Sequence, residues 1–206
     1  MGESIGFMLA KDYIDGMKIP RKLGKKPPPL GWWMSEKLDG YRAIFSTSHR
    51  QFLSRNNKAY NAPKWLTDLL PEVDLDGELY TGRDNFEKMG IVRKKVPVDD
   101  EWIRVRFHIF DAPSHPGTFR ERHIYLRNIL EVLQAHWNTI RATLDEKFHN
   151  LDCPVAIVKQ INIESYEQMN EFYKTVIMHK GEGIMIKDPD SLYETKRSDY
   201  MLKYKP

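Results

Sequence analysis

The spacing of apolar and polar residues predicts short strands in the first half of the chain, with helices inserted later. The segment WIRVRFHIFDA alternates most regularly, which places Ile103, Val105, Phe107 and Ile109 on one face of a strand. Further strand patterns, each ending at turn residues, occupy residues 32–37, 41–45, 51–55, 73–80, 153–161, 183–187 and 199–205.

Helical spacing appears in four segments. A short helix is predicted over residues 62–70, and a second over residues 84–95 with Asp84 as its N-cap. Longer helices are predicted from Thr118 to Trp137 and from Ser165 to His179. Early strands joined by short turns, with helices added later, indicate an α+β fold with largely antiparallel sheets, and not a βαβ array.

Composition narrows the class of protein. A chain of 206 residues with 41% apolar content can bury one sizeable core, so a single compact domain over residues 1–206 is expected. The single cysteine, Cys153, excludes an internal disulfide and a cysteine-rich zinc site, which fits a reducing compartment. No apolar run could span a bilayer, and a soluble intracellular protein of the nucleus or cytoplasm is expected. The formal charge of +3 permits a nucleic-acid partner without requiring one.

The segment SEKLDGYRAIF places Lys37 at the end of a strand, beside a tight turn of Leu38, Asp39 and Gly40. Flanking aromatic residues can remove water from the amine, which disfavours its charged form and makes a neutral nucleophile available. Such an amine attacks phosphorus or a carbonyl carbon. The alternative is an ordinary solvated lysine at a strand end.

Five later segments also place charged groups at strand edges, and they follow in the order SRNNK, LDGEL, RFHIFDA, GEGIMIKDP and MLKYK. Lys203 and Lys205 are two residues apart, so both amines lie on one sheet face. Together the segments supply a nucleophilic lysine, cations for a polyphosphate, glutamates for a divalent metal and an aromatic ring for a base. These groups indicate nucleotidyl transfer.

The order and the sequences of these motifs resemble those of the covalent nucleotidyltransferases, which comprise ATP-dependent DNA ligases, RNA ligases and mRNA capping guanylyltransferases. Residues 37–42 match the K-x-D-G-x-R motif, and the resemblance extends from about Gly31 to Pro206. SRNNKAYNAPKWL, GRDNFEKMGIVRK and FHIFDAP are most similar to small DNA ligases of large DNA viruses and some bacteria. MLKYKP is similar to the L-K-W-K-P of guanylyltransferases, so capping is the alternative within the superfamily, together with RNA ligation.

The resemblance implies a fold and a reaction. The fold is an adenylation domain with antiparallel sheets, flanking helices and a nucleotide pocket between the sheets. Lys37 would attack the α-phosphorus of ATP to form lysyl-AMP, with Mg²⁺ as the metal. The AMP would pass to the 5′-phosphate of nicked double-stranded DNA, and the 3′-hydroxyl would expel it. Asp39 would orient Lys37 or the 3′-hydroxyl, and Lys203 and Lys205 would stabilise charge on the α-phosphate.

The resemblance also assigns binding roles. Glu78 and Glu182 would hold the metal or the ribose, Phe110 would stack on adenine, and Arg55 would bind the nick 5′-phosphate. The residues expected to contact the nucleotide are Glu36, Lys37, Arg42, Arg55, Glu78, Phe110, Glu182, Lys187, Lys203 and Lys205. The residues expected to contact DNA are Arg55, Arg93, Lys94 and Lys95.

Structural alternatives accompany several assignments. Phe110 could belong to the core, Glu78 could be a solvated strand end, and Lys187 could be an ordinary surface lysine. The basic residues 93–95 could serve the dipole of a helix end.

Complete ligases of this kind continue into an OB-fold domain, so the chain is expected to be an excised adenylation domain or a naturally minimal protein, acting as a monomer. Two other classes of protein are alternatives. A binding module without chemistry would not need Lys37, Glu78, Glu182 and Lys203 together. An NAD-dependent ligase would need an additional N-terminal region and usually a cysteine zinc site.

Overall fold

The computed structural model describes residues 5–14 and 28–206. The strands of this described part are β1 (Leu9–Asp12), β2 (Trp33–Glu36), β3 (Tyr41–Ser46), β4 (Gln51–Leu53), β5 (Ala59–Tyr60), β6 (Leu75–Tyr80), β7 (Arg106–Asp111), β8 (Val155–Ile157), β9 (Ile161–Asn162), β10 (Ile184–Lys187) and β11 (Arg197–Tyr204). The α-helices are α1 (Lys64–Thr67), α2 (Asp99–Trp102), α3 (Phe119–Arg141) and α4 (Tyr166–Met178). Two 3₁₀ helices span Phe86–Arg93 and Glu146–Phe148.

The chain divides into two compact units. The first unit contains the described residues up to Asp39, together with Gly117–Arg120 and Val158–Pro206. The second contains Gly40–Pro116 and Glu121–Ile157. Each unit has its own cluster of buried apolar side chains, so the expectation of one core was wrong. Two sheets, each with an apolar face to cover, account for the two cores.

The first unit is built on a five-stranded sheet with the order β1-β11-β10-β2-β9. Neighbouring strands are antiparallel except β1 and β11, which are parallel. One face of this sheet packs against α4 through Met34, Ile186 and Leu202 on the sheet and Met169 and Val176 on the helix. Alternation along β11 therefore turns the side chain of Lys203 to the other face.

The second unit is built on a six-stranded sheet with the order β5-β4-β3-β6-β7-β8. All neighbours are antiparallel except β7 and β8. Phe45, Phe107 and Ile109 lie in its core together with Leu133 and Trp137 of the amphipathic helix α3. The predicted fold class, α+β with mainly antiparallel sheets, is confirmed.

The helix predicted over residues 84–95 is present as the shorter 3₁₀ helix Phe86–Arg93, but its predicted N-cap was wrong. Its N-cap is Asn85, while Asp84 has a left-handed backbone with φ of 59°. The buried residues of this helix, Met89 and Val92, are three positions apart. Side chains at that spacing lie on one face of a 3₁₀ helix and also on one face of an α-helix, so the apolar pattern does not distinguish the two.

The strand predicted from residue 102 begins only at Arg106, because Asp99–Trp102 forms α2. Three acidic residues occupy the first turn of α2, where they favour the helix dipole. Trp102 is fully buried in the core as the last residue of this helix. Strand β1 was not predicted, since four residues without alternation become a strand only by pairing with β11.

Candidate active site

Lys37 directly follows β2 and is held by the neighbouring strand β10. Its backbone N–H donates to the carbonyl of Gly183 at 2.9 Å, and its Nζ lies 2.6 Å from Oε1 of Glu182. The pairing of Glu36 with Ile184 brings the residues just beyond both strand ends together. Gly183 is required there, because a Cβ at this position would lie 2.3 Å from the carbonyl oxygen of Tyr204.

Two further lysines approach from β11, the other neighbour of β10. Nζ of Lys205 lies 3.6 Å from the same Glu182 oxygen, so one carboxylate faces two ammonium groups. Nζ of Lys203 lies 3.4 Å from Oδ1 of Asp12, at the end of β1. Asp12 was missed by sequence reasoning, because its position depends on the unpredicted strand β1.

Asp39 lies two residues after Lys37 and is exposed. Partial loss of hydration raises the pKa of this carboxyl above its ordinary value of 3.8, and the charge of Glu182 raises it further. Lys37 and Lys205 act in the opposite direction on the same pKa. Asp39 therefore belongs electrostatically to the group formed by Lys37, Glu182 and Lys205.

Lys187, the last residue of β10, is only 6% exposed, so it is not an ordinary surface lysine. Its ammonium lies over the ring of Phe119, 4.2 Å from the centroid, and 5.9 Å from the ring of Tyr193. Aromatic faces attract a desolvated cation, which explains how the fold accepts this buried amine. Glu36 is half-buried near the end of β2.

In the second unit, Arg42 on β3 forms a two-pronged ion pair with Asp76 on β6. Nε lies 2.8 Å from Oδ1 and Nη2 lies 2.6 Å from Oδ2, while Asp76 is fully buried. The guanidinium also lies over the ring of Phe110, 5.0 Å from the centroid. Asp76 was missed, although an acid within the apolar strand β6 is unusual enough to have been a signal.

Phe110 and Glu78 lie on the face of the second sheet that carries Arg42. Phe107 and Ile109 are buried on the opposite face, and Phe110 is half-buried, which argues against a purely core role. Glu78 accepts a hydrogen bond from the backbone N–H of Gly40 at 3.3 Å, so it is more than a solvated strand end.

Gly40 is also required by the fold. A Cβ on this residue would lie 2.2 Å from the carbonyl oxygen of Leu79. The D-G step of the K-x-D-G-x-R motif therefore has a structural cause in the approach of the chain to β6. Glu78 holds that approach in place.

The predicted DNA-binding residues are exposed on the second unit, but their surroundings differ. Arg55 lies in the turn after β4. The guanidinium of Arg93 covers the ring of Tyr41 at 4.6 Å, whereas Nζ of Lys94 is 2.6 Å from Glu101. Lys95 is exposed. Because Arg93 lies on an aromatic ring and Lys94 pairs with an acid, these neighbouring cations do not form one uniform cationic surface.

One buried ion pair joins β7 to α3 in the second unit and was not predicted. Nε of Arg122 lies 2.6 Å from Oδ1 of Asp111, and both side chains are fully buried. The same carboxylate oxygen accepts the N–H of Ala112 at 2.8 Å. Asp111 directly follows Phe110, so this pair fixes the end of the strand that carries the ring.

Within residues 5–14 and 28–206, no three or more His, Cys, Asp or Glu side chains are grouped so that they could hold a metal. In the same part of the chain, no helix is both long and apolar enough to cross a membrane.

Comparisons with known sequences give matches over most of the chain. Residues 8–205 match the family described as ATP dependent DNA ligase domain. A curated DNA ligase of Haemophilus influenzae is 31% identical over 178 residues, which cover 86% of this chain and 59% of the relative. The chain thus spans about three fifths of that relative's length.

Solved structures show the same fold. One from a study of DNA binding by Lig E DNA ligases is 28% identical, with a TM-score of 0.72, and the match covers 99% of this chain and 70% of the other. The Chlorella virus DNA ligase-adenylate has a TM-score of 0.70 at 20% identity, covering 98% and 68%. Because the family match includes nearly every motif described above, the chain belongs to the ATP dependent DNA ligase domain family.

Proposed function

We propose that this chain is the adenylation domain of an ATP-dependent DNA ligase and that it acts as a monomer on nicked double-stranded DNA. The observation that carries the proposal is the placement of Lys37, whose amine meets Glu182 at 2.6 Å while Lys205 faces the same carboxylate. Family membership supplies the class of reaction, and the described side chains supply its chemistry.

In the first step, the neutral amine of Lys37 attacks the α-phosphorus of ATP. A phosphorus–nitrogen bond forms, the bond to the bridging oxygen breaks, and pyrophosphate leaves. Before attack, the Lys37 ammonium must lose a proton, and the carboxylate of Glu182 is the base within hydrogen-bond distance. Lys205 and Lys203 then offset the negative charge that develops on the α-phosphate.

The carboxylates also suit a metal ion. Mg²⁺ is usually bound by one or two carboxylates together with substrate phosphates and water, and not by a cage of protein ligands. Glu182 and Glu78 would each offer such an ion a single carboxylate. When bound, Mg²⁺ neutralises phosphate charge.

Recognition of the nucleoside is assigned to the remaining residues. Phe110 is half-buried and presents an aromatic face that can stack on adenine. Arg42, fixed by Asp76, holds that ring and offers N–H donors to the sugar or a phosphate. Glu36 and Lys187 complete the proposed nucleotide-binding set.

In the second step, an oxygen of the nick 5′-phosphate attacks the phosphorus of lysyl-AMP, and Lys37 leaves as the amine. In the third, the 3′-hydroxyl attacks the DNA 5′-phosphorus, loses its proton and expels AMP. Arg55 is assigned to the 5′-phosphate, because a guanidinium can bind two phosphate oxygens. Asp39 is assigned to orienting Lys37 or the 3′-hydroxyl.

The test is incubation of the chain with ATP or GTP labelled at the α-phosphate, followed by denaturing electrophoresis. A protein band labelled by ATP and not by GTP is expected. Sealing of a nicked duplex is then compared for 5′-phosphorylated and pre-adenylated ends. Labelling by GTP alone would replace the proposal with capping, and no label from either nucleotide together with no sealing would reject it.

A further inference from the structure

A patch of three aromatic rings and one arginine lies on the second unit and has no role in the reaction described above. This aromatic–arginine patch consists of Tyr41, Tyr60, Phe86 and Arg93. The Arg93 guanidinium carbon lies 4.6 Å from the Tyr41 ring centroid. The Phe86 and Tyr60 ring centroids lie 5.5 Å and 6.0 Å from that of Tyr41. Tyr41 is therefore the centre of the patch.

The patch is held in place from the core beneath it. Phe86 and Arg93 are the first and last residues of the same 3₁₀ helix, which is anchored by the fully buried side chains of Met89 and Val92. Tyr41 begins β3, and its ring packs against the core of the second unit. Arg93 thus rests on a rigid surface, although its own side chain is exposed.

An arginine stacked on a ring keeps the N–H donors at the edge of its guanidinium available for an anion. The flat face contacts the aromatic ring, and the edge presents a planar fork that matches two phosphate oxygens. Because the ring limits the side chain to few conformations, less freedom is lost when the anion binds. Arg93 therefore has the properties of a prepared phosphate contact.

Electrostatics around Tyr60 extend the patch toward a second arginine. Burial raises the pKa of the Tyr60 phenol, while Arg93 and Arg55 both lower it and Tyr41 and Glu78 raise it. Tyr60 is thus within electrostatic reach of both guanidinium groups. Positive charge from Arg93 and Arg55 and negative charge from Glu78 therefore all act on the half-buried Tyr60.

The neighbouring Lys94 is arranged differently, although it carries the same charge. Its Nζ lies 2.6 Å from Oε1 of Glu101, so an acid at close range offsets its charge. A phosphate approaching Lys94 would have to compete with that carboxylate. Arg93 is therefore more available to an anion than the adjacent Lys94.

We propose that the aromatic–arginine patch binds a backbone phosphate of duplex DNA through Arg93, with Tyr41 as the residue that positions the guanidinium and Lys94 outside the contact. The identity of the partner rests on the proposed function, since a ligase domain must hold the DNA backbone. Beyond that function, Arg93 and not the adjacent Lys94 makes the contact, and the Tyr41 ring orients its guanidinium.

The test is the binding of a fluorescently labelled nicked duplex to the chain, measured by anisotropy between 50 and 200 mM salt. Each lost phosphate contact lowers the slope of log affinity against log salt by about 0.9. For Arg93→Ala, the loss of affinity across this fourfold salt range should therefore be about 3.5-fold smaller than for the natural chain. Lys94→Ala removes the same charge one residue away and should change the slope by less than half as much.

Two variants test the positioning role. Tyr41→Phe keeps the ring and should bind as the natural chain does, whereas Tyr41→Leu should lose affinity in the direction of Arg93→Ala. Thermal unfolding establishes that each variant is folded at the temperature of the binding assay. If Tyr41→Leu is less stable but still folded, the difference in DNA affinity between Tyr41→Phe and Tyr41→Leu decides the role of the ring. Equal slopes for Arg93→Ala and Lys94→Ala, or equal affinities for the two Tyr41 variants, would overturn the inference.

Covalent labelling of the natural chain by ATP separates this inference from the proposed function. If the label forms and Arg93→Ala binds DNA with an unchanged slope, the patch assignment is wrong and the ligase assignment stands. If neither a label nor sealing of a nicked duplex is observed while Arg93→Ala loses one contact, the patch is a DNA contact and the ligase assignment is wrong.

Discussion

Replacing Arg122 by methionine should destabilise the chain strongly, because the substitution removes the buried guanidinium that pairs with the buried carboxylate of Asp111. Both side chains are fully buried, and Nε of Arg122 lies 2.6 Å from Oδ1 of Asp111. Breaking such a pair by removing one partner costs about 3–5 kcal/mol. For a chain of 206 residues, 1 kcal/mol shifts the unfolding midpoint by about 2–4 °C, so a fall of about 6–20 °C is expected.

Arg120→Met is the matched control, since it changes the same residue type two positions earlier on α3. Arg120 is half-exposed and its ion pair with Asp190 is 3.8 Å long, so its loss should cost about 1 kcal/mol. The assay is thermal and urea unfolding followed by circular dichroism. Adding Asp111→Asn to Arg122→Met should restore part of the loss, because the buried negative charge is then removed together with the positive one. Equal midpoints for Arg122→Met and Arg120→Met would refute the reasoning.

Three further predictions concern the candidate site. Glu182→Gln should slow labelling by ATP about 10²-fold, because it removes the carboxylate beside the nucleophile. The control Glu171→Gln, at an exposed position on α4, should have no effect. Equal labelling rates for the two variants would exclude a role of Glu182 in the attack by Lys37. The pKa of Asp39, followed by carboxyl NMR, should lie above 3.8 and should fall in Glu182→Gln; a value below 3.8 would contradict the account. Since folding raises this pKa, the contribution of Asp39 to stability is present at acid pH and is lost as the pH rises through the native value. Phe110→Ala should raise the KM for ATP by about 5-fold to 150-fold, the range expected for one base–aromatic stack. Phe110→Tyr keeps an aromatic ring and should leave the KM unchanged. An unchanged KM for Phe110→Ala would exclude stacking.

Much of the fold follows from local pattern. Alternation located β3, β6, β10 and β11, and Ser165 was correctly placed at the start of α4, where its Oγ accepts the N–H of Gln168 at 3.1 Å. These elements have a strong period or a capping residue. Strand β1 has neither. In the 3₁₀ helix Phe86–Arg93, the two buried residues are three positions apart, a spacing that also fits an α-helix.

The candidate site divides in the same way. The motif residues Lys37 and Glu182 were chosen from sequence, and the pairing of β2 with β10 brings them together. Asp12 and Asp76 were not chosen, because each acts on a cation more than thirty residues distant along the chain, a relation that only strand pairing creates. Sequence reasoning therefore found the cations Lys203 and Arg42 and missed the acids that pair with them, Asp12 and Asp76.

The most direct test of the central claim is whether AMP becomes attached to Lys37 itself. The chain is incubated with ATP and Mg²⁺, digested, and analysed by mass spectrometry alongside Lys37→Ala and Lys37→Arg. The account predicts an acid-labile, base-stable AMP adduct on the peptide containing Lys37, and none in either variant, because a guanidinium cannot act as a neutral amine nucleophile. An adduct on another residue, or one retained in either variant, would contradict it.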